Sequence, residues 1–431
     1  MNIQKDIIKI LNNSKISSIS FVLFANVFNN IIAFFVNIWL ARKFGPEEYG
    51  IFSLTVSVMM TVYLIVNFGL NLTTIRFFNL YLNEIKKQSL LLKTLLILRF
   101  VILLVLSIGA LPLAFVLTRI LNINDLHSNF LALAIITGGI FGLWLYVQNY
   151  MQVYQRFKKL ANHITLYAFF RFTFFALLLF IAKKHLNFIT VFSSLYTLPL
   201  VLIICVGIIP AINHLFRSGF PSINNLKTYI SRILGYSKWV ALSSICFSLI
   251  YRFIQFILSS RSSKYELGLL SAGFLFTITF STLNMAMRTV FFPYVSAFEH
   301  IDDIKKHMRR IKKTFPYFLI LVIPIGAILI WIQLAFLGEE YANALPVFLI
   351  TAAALALTMY MGLISMLLHT LMLPKIDAYT NVVRFVLAGI MIYALAPRFG
   401  AIGGAISYAI PLILGEIFMV YYVYKKIYKQ K

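Results

Sequence analysis

Twelve apolar stretches, each long enough to cross a bilayer as a helix, decide what this 431-residue chain can become. They run over roughly 16–41, 50–76, 91–117, 129–154, 163–182, 188–213, 235–259, 267–297, 314–337, 345–372, 378–396 and 400–424. About 20 apolar residues, rising 1.5 Å each, cross a hydrocarbon core of about 30 Å. Hydrocarbon offers a backbone amide no water, so a stretch of that length must satisfy its own hydrogen bonds as a helix. The expected fold class is an all-α polytopic membrane protein with twelve transmembrane helices. At 61% hydrophobic and 12% charged residues, the chain has too little polar surface for a soluble protein of this size.

The net charge of +25 is unevenly placed. The segments before helix 1, between helices 2/3, 4/5, 6/7, 8/9 and 10/11, and after helix 12 carry 25 Lys and Arg, counting cations at helix edges with the nearer loop. The other six loops carry eight. This is the positive-inside bias, which predicts both termini in the cytoplasm of a multi-pass protein. Ile304–Lys313, IKKHMRRIKK, would then face anionic lipid headgroups. No nucleic-acid recognition module accompanies the charge, so nucleic acid is not an expected partner. Cys205 and Cys246 fall inside apolar helices and imply no disulfide framework.

The two halves echo each other. LARKFGPEEYGIFSL (Leu40–Leu54) is answered by SRSSKYELGLLSA (Ser260–Ala272), with Glu48-Tyr49-Gly50 matching Glu266-Leu267-Gly268. Ile85-Lys86-Lys87 precedes helix 3 as Ile304-Lys305-Lys306 precedes helix 9, and Arg171-Phe172 matches Arg384-Phe385, at offsets between 213 and 220. Six helices per copy is an even number, so the copies enter from the same side. Two six-helix lobes related by a parallel pseudo-two-fold repeat are expected. Their expected bounds are an N-terminal lobe over 1–217, a cytoplasmic linker over 218–234 and a C-terminal lobe over 235–431. Gly45, Pro46 and the two glutamates after them suit a tight turn into a helix. Gly138/Gly142 and Gly400/Gly404 have the spacing of helix-packing surfaces.

Arginine inside the bilayer is costly, about 2.5–3.5 kcal/mol each on insertion scales, so it marks an interior surface or a function. Five lie within the spans: Arg99, Arg171, Arg252, Arg288 and Arg384. Helix 7 sets Ser244, Ser248, Arg252, Gln255 and Ser259 on one face, and helix 8 does the same with Ser281, Asn284 and Arg288. Asn26, Asn30 and Asn37 occupy the matching stripe of helix 1. Such stripes serve either as interhelical glue or as the wall of a wet cavity. The candidate substrate-binding residues are Arg252, Arg288, Arg171, Arg384, Asn30, Asn37, Ser248, Gln255 and Asn284. Glu416 in helix 12 and Asp377, on one face with Asn381 and Arg384, are each a candidate proton or sodium site or the partner of an arginine. A cation-rich, low-dielectric interior favours an anion, and a lipid-tailed anion could leave its tail in the bilayer.

WLARKFGPEEYGIFSL, then VNFGLNLTTIRFF (Val66–Phe78), the degraded second copy and FGAIGGAISYAI (Phe399–Ile410) together resemble the polysaccharide-specific transporters. These are the Wzx-type O-antigen and capsule-repeat flippases of the multidrug/oligosaccharidyl-lipid/polysaccharide exporter superfamily. The resemblance spans the whole chain. It implies a V-shaped pair of lobes moving undecaprenyl-diphosphate-linked oligosaccharide units across the bacterial inner membrane, with arginines holding the diphosphate. The partners it implies are lipid-linked oligosaccharide, membrane lipids and other glycan-assembly membrane proteins. No cofactor is expected beyond a coupling proton or sodium ion. A cation-coupled multidrug exporter of the same superfamily is the alternative, although the scarcity of membrane carboxylates weighs against it. No metal-ligand cluster, nucleophile–base spacing or phosphate-binding glycine loop suggests an enzyme.

Overall fold

The computed structural model describes residues 14–81, 84–123, 127–181, 187–216, 223–296, 298, 301–371 and 373–428. Among these there is helix and no strand. Helix α1 (Ser14–Asn67) holds the first crossing and most of the second, divided at Gly45 (φ 72°, ψ 172°), with Pro46 opening the new helix. The second crossing is itself interrupted, which its apolar pattern did not foretell. Phe68 and Gly69 turn left-handed before α2 (Leu70–Leu80) continues it. Next come α3 (Ile85–Ile120), α4 (Ser128–Val153) and α5 (Phe157–Ile181). The sixth crossing joins α6 (Phe188–Phe192), a π-helical turn over Ser193–Thr197 and α7 (Leu198–Leu215). Pro199 lacks the N–H that would close an α-helical bond there, and the helix widens just before it.

The second copy repeats the plan with α8 (Ile223–Arg261), α9 (Lys264–Ser296) and α10 (Ile301–Leu337). A 3₁₀ turn over Glu339–Ala344, α11 (Leu345–Ser365) and the short α12 (Leu367–Thr370) make the tenth crossing. Helix α13 (Pro374–Tyr428) holds the last two, divided at Gly400 (φ 48°, ψ −126°). With α1 and α13 each counted as two, the described helices account for all twelve expected crossings.

The chain clusters into two compact units. One comprises Met1–Val36, Val58–Arg119 and Asn124–Ala241; the other comprises Asn37–Ser57, Ile120–Ile123 and Leu242–Lys431. In the first, α4 lays its glycines against α1: a Cβ on Gly138 would stand 2.5 Å from the Met59 carbonyl oxygen, and one on Gly142 2.7 Å from Val66. A core of Leu91, Leu92, Leu95, Tyr146, Val147, Leu200 and Ile203 joins α3, α4 and α7.

The second unit gathers the end of the first crossing and the start of the second around the junction of α8 and α9. There the two echoing motifs meet. A Cβ on Gly50 would lie 2.4 Å from the Lys264 carbonyl oxygen and 2.8 Å from the Gly268 nitrogen, and one on Gly268 only 1.7 Å from the Pro46 carbonyl oxygen. Lys264 Nζ and Ser259 Oγ both donate to the Leu121 carbonyl, at 2.7 and 2.8 Å, which fastens residues 120–123 to the same junction. Tyr341 donates its hydroxyl to the Ala41 carbonyl at 2.8 Å. At Gly400 the freed amide of Ala401 donates to Glu266 Oε2 at 2.7 Å, so one half of the echo caps the last helix.

Gly268→Ala is expected to lower stability by about 1–3 kcal/mol, because backbone and not a movable side chain blocks the new methyl. Gly109→Ala, whose Cβ would meet nothing within 4 Å, should be neutral or slightly stabilising. Thermal unfolding of the purified protein in detergent distinguishes the two.

Candidate functional site

One polar group of the second unit is a chain of side chains linking α11 to both halves of α13. Asp377, Asn381 and Arg384 follow one another at i, i+4 and i+7 and share a face. Arg384 is buried and donates through Nη2 to Glu416 Oε2 at 2.8 Å and to the Leu412 carbonyl at 3.0 Å. Its Nη1 donates to Asn381 Oδ1 at 3.1 Å, and Asn381 Nδ2 reaches Asp377 Oδ2 at 3.5 Å. Ser365 Oγ donates to the other oxygen of Glu416. Gly415 makes the approach possible, since a Cβ there would stand 2.1 Å from Arg384 Nε. Glu416 is thus the ion-pair partner of Arg384, and both candidate coupling carboxylates sit on one hydrogen-bonded path. A pair this deep is costly to form and far costlier to half-remove, because the survivor would be a lone charge in low dielectric.

The α8 stripe divides by role. Gln255 is fully buried and its amide is saturated. Nε2 lies 3.1 Å from Ser53 Oγ, 2.9 Å from the Tyr251 hydroxyl and 2.9 Å from Ser271 Oγ, while Ser57 Oγ donates to Oε1. This side chain ties α8 to α1 and α9, the glue role of a polar stripe. Arg252, half-buried, donates through Nη1 back to the Ser248 carbonyl one turn earlier. Arg288 is exposed, donates through Nε to Asn284 Oδ1 at 3.3 Å and lies against Gly362, whose Cβ would be 3.2 Å from Nη2. Among the candidate cations of the second unit, Arg288 is thus exposed, Arg252 half-buried and Arg384 buried.

In the first unit, Arg171 is 5% exposed and stacks on the Tyr196 ring at 4.8 Å. It is the repeat counterpart of Arg384. The position matching Glu416, by the same offset of 213, is Ile203, which is fully buried. Among the described residues Arg171 has no ion-pair partner, and its Nε is buried without a hydrogen-bond partner. Asn30 of the first unit and Asn37 of the second are both half-buried on α1.

Two clusters escaped the sequence reading. Arg99, 1% exposed, donates through Nη2 to Asn71 Oδ1 at 2.8 Å and lies 5.4 Å from the Tyr146 ring centroid, while Nε and Nη1 have no partner. Asn149 Nδ2 completes the group, 3.2 Å from the Asn71 carbonyl. The signal was available, since Asn71 stands on the polar face of helix 2, but nothing in one dimension pairs it with Arg99. The Ser259–Lys264 clasp on Leu121 relies on a backbone acceptor, which leaves no residue-type signature. Among the described residues no group of three or more His, Cys, Asp or Glu could hold a metal.

The family described as polysaccharide biosynthesis protein matches residues 16–299, well over half of the chain, and the chain belongs to it. No curated protein gives a significant sequence match. Among solved structures, the fold is similar to an inward-facing multidrug resistance MATE family transporter of the MOP superfamily (15% identity, 93% of this chain and 94% of that one, TM-score 0.77). It is also similar to the lipid II flippase MurJ in an inward closed conformation (15% identity, 93% and 86%, TM-score 0.71). A MOP superfamily transporter from Pyrococcus furiosus, described by the reverse polarity of its binding pocket, aligns at 13% identity over 97% of both chains with a TM-score of 0.66. At such identities the likeness establishes the fold.

Glu416→Gln alone is expected to cost about 3–5 kcal/mol, whereas Glu416→Leu combined with Arg384→Met should recover most of that loss. A double-mutant cycle by thermal unfolding measures it, with Asn284→Ala as a partly exposed control expected to shift stability by less than about 0.5 kcal/mol.

Proposed function

We propose that this member of the polysaccharide biosynthesis family is a Wzx-type flippase of the bacterial cytoplasmic membrane. It would carry an oligosaccharide repeat unit on undecaprenyl diphosphate to the outer leaflet by alternating access, for O-antigen, capsule or exopolysaccharide assembly. The observation that carries the reading is the balance of charge within the crossings. Glu416, 2% exposed, is committed to Arg384, and among the described residues neither Arg99 nor Arg171 is in an ion pair. A low-dielectric interior with that excess attracts an anion and repels cationic compounds. A diphosphate offers several oxygens to guanidinium donors, and its polyprenyl tail can remain in the bilayer. The family and the fold shared with a lipid II flippase support the same substrate class.

In this reading Arg252 and Arg288 contact the diphosphate. Arg171 adds charge to the first unit, and Gln255 and Arg384 hold helices. Both termini and the basic loops lie in the cytoplasm, so the junctions at Gly45, Ser262 and Gly338 face outward.

A second reading has one observation in its favour. Asp377, Asn381, Arg384, Glu416 and Ser365 form a continuous path with a carboxylate near each end, the kind of group that binds a coupling proton or sodium ion. The fold shared with a multidrug resistance transporter makes a cation-coupled drug exporter its natural form.

Arg252→Ala and Arg288→Ala should each slow flipping of a short lipid-diphosphate sugar in liposomes about tenfold or more, the loss of a charge-assisted contact, with membrane insertion unchanged. Unaltered flipping in both would remove the anion site. Drug resistance that disappears in Glu416→Gln while surface glycan stays normal would favour the exporter instead. Reporter fusions to the carboxyl end, active only in the cytoplasm, check the orientation.

A further inference from the structure

Near the end of α10, Gln333 is 2% exposed, and among the described residues neither its Oε1 nor its Nε2 has a hydrogen-bond partner. A buried amide left so is disfavoured, and its persistence calls for a polar group from a ligand. Gln333 lines a cavity of about 160 Å³ together with Leu334, Gly338, Glu339, Tyr341 and Ala342. Water occupies about 30 Å³ per molecule in the liquid, so this space admits a small organic headgroup as well as water.

Three features of the surroundings narrow the ligand. Trp331, Leu334 and Phe336 on the same end of α10 are 65%, 56% and 46% exposed, an apolar and aromatic surface of the kind that meets lipid at the headgroup level. Glu339 and its neighbour Glu340 are exposed acids in a chain with only 13 acids against 38 Lys and Arg, so this corner favours a cation. The floor is fixed, because Tyr341 is buried with its hydroxyl committed to the Ala41 carbonyl. Gly338, at φ +90° with nothing within 4 Å of a Cβ, leaves the mouth open.

We infer that this cavity binds the headgroup of a phospholipid carrying a primary ammonium, of the phosphatidylethanolamine type. The ammonium pairs with the Glu339 carboxylate, and the Gln333 amide takes the phosphate or glycerol-ester oxygens through Nε2. A trimethylated choline headgroup has no N–H to donate, and an anionic glycerol headgroup meets like charge at Glu339, so both are disfavoured. The inference rests on the chain being a membrane protein and not on what it transports.

Native mass spectrometry of the full-length protein, titrated with ethanolamine, choline and glycerol phospholipids of identical acyl chains, tests it. The expected result is retention of the ethanolamine lipid at least about fivefold above the choline lipid, equivalent to about 1 kcal/mol. In Glu339→Gln the ratio should fall below about two, whereas Gln333→Leu should lower retention of the ethanolamine and choline lipids alike by about fivefold or more. Glu339 is exposed, so its variant is expected to fold even if the core variant does not. Equal retention of ethanolamine and choline lipids by the wild type, preference for the glycerol lipid, or an undiminished ethanolamine preference in Glu339→Gln would each overturn it.

Discussion

A backbone amide freed where a helix breaks must find another partner, and three breaks in this chain show how that is met. At Gly400 the freed Ala401 amide is taken by the carboxylate of Glu266, a side chain from another helix. At Gly45 the next residue is Pro46, which has no amide to satisfy. At Phe68-Gly69 the bonds run up to the break and resume directly after it, Phe68 N to the Leu64 carbonyl and Thr73 N to the Gly69 carbonyl. The polar residues around the α8–α9 junction are therefore part of the fold's backbone accounting as well as of its surface chemistry.

The same scarcity of solvent sorts the charged groups. Arg384 and Glu416 neutralise each other in the second unit, and Gly415 leaves the space in which they do so. The first unit keeps the arginine of that pair and replaces the acid with Ile203. Duplication gave the two copies the same cation, and divergence left only one of them balanced. The proposal of an anionic cargo rests on this imbalance more than on the number of arginines.

Helix number, the duplicated plan and the packing role of Gly138 and Gly142 were legible in the sequence, because span length and small-residue spacing are local properties. The broken second crossing was not, since Phe68 and Gly69 sit in an unbroken apolar run and only their dihedral angles reveal the turn. Of the candidate site residues, the sequence placed Arg384, Asp377 and Asn381 on one face but could not choose between a partner and an ion for Glu416. Gln255 looked like a cavity residue for the same reason that it serves as glue: both uses require a polar group on the helix face that meets other helices. Arg99 was legible as an arginine within a span but its partners were not, and Gln333 was missed, because burial without a partner is a three-dimensional property and a lone polar residue in an apolar stretch carries no periodicity.

The contact between Gly50 and Gly268 ties together two positions that the repeat sets in correspondence. A codon change at either one is free of the other in the gene and bound to it in the protein, since a methyl at Gly50 would strike the backbone of Gly268 and one at Gly268 the backbone just before Gly50. Each remains hostage to the other's lack of a side chain, and neither half can drift here alone.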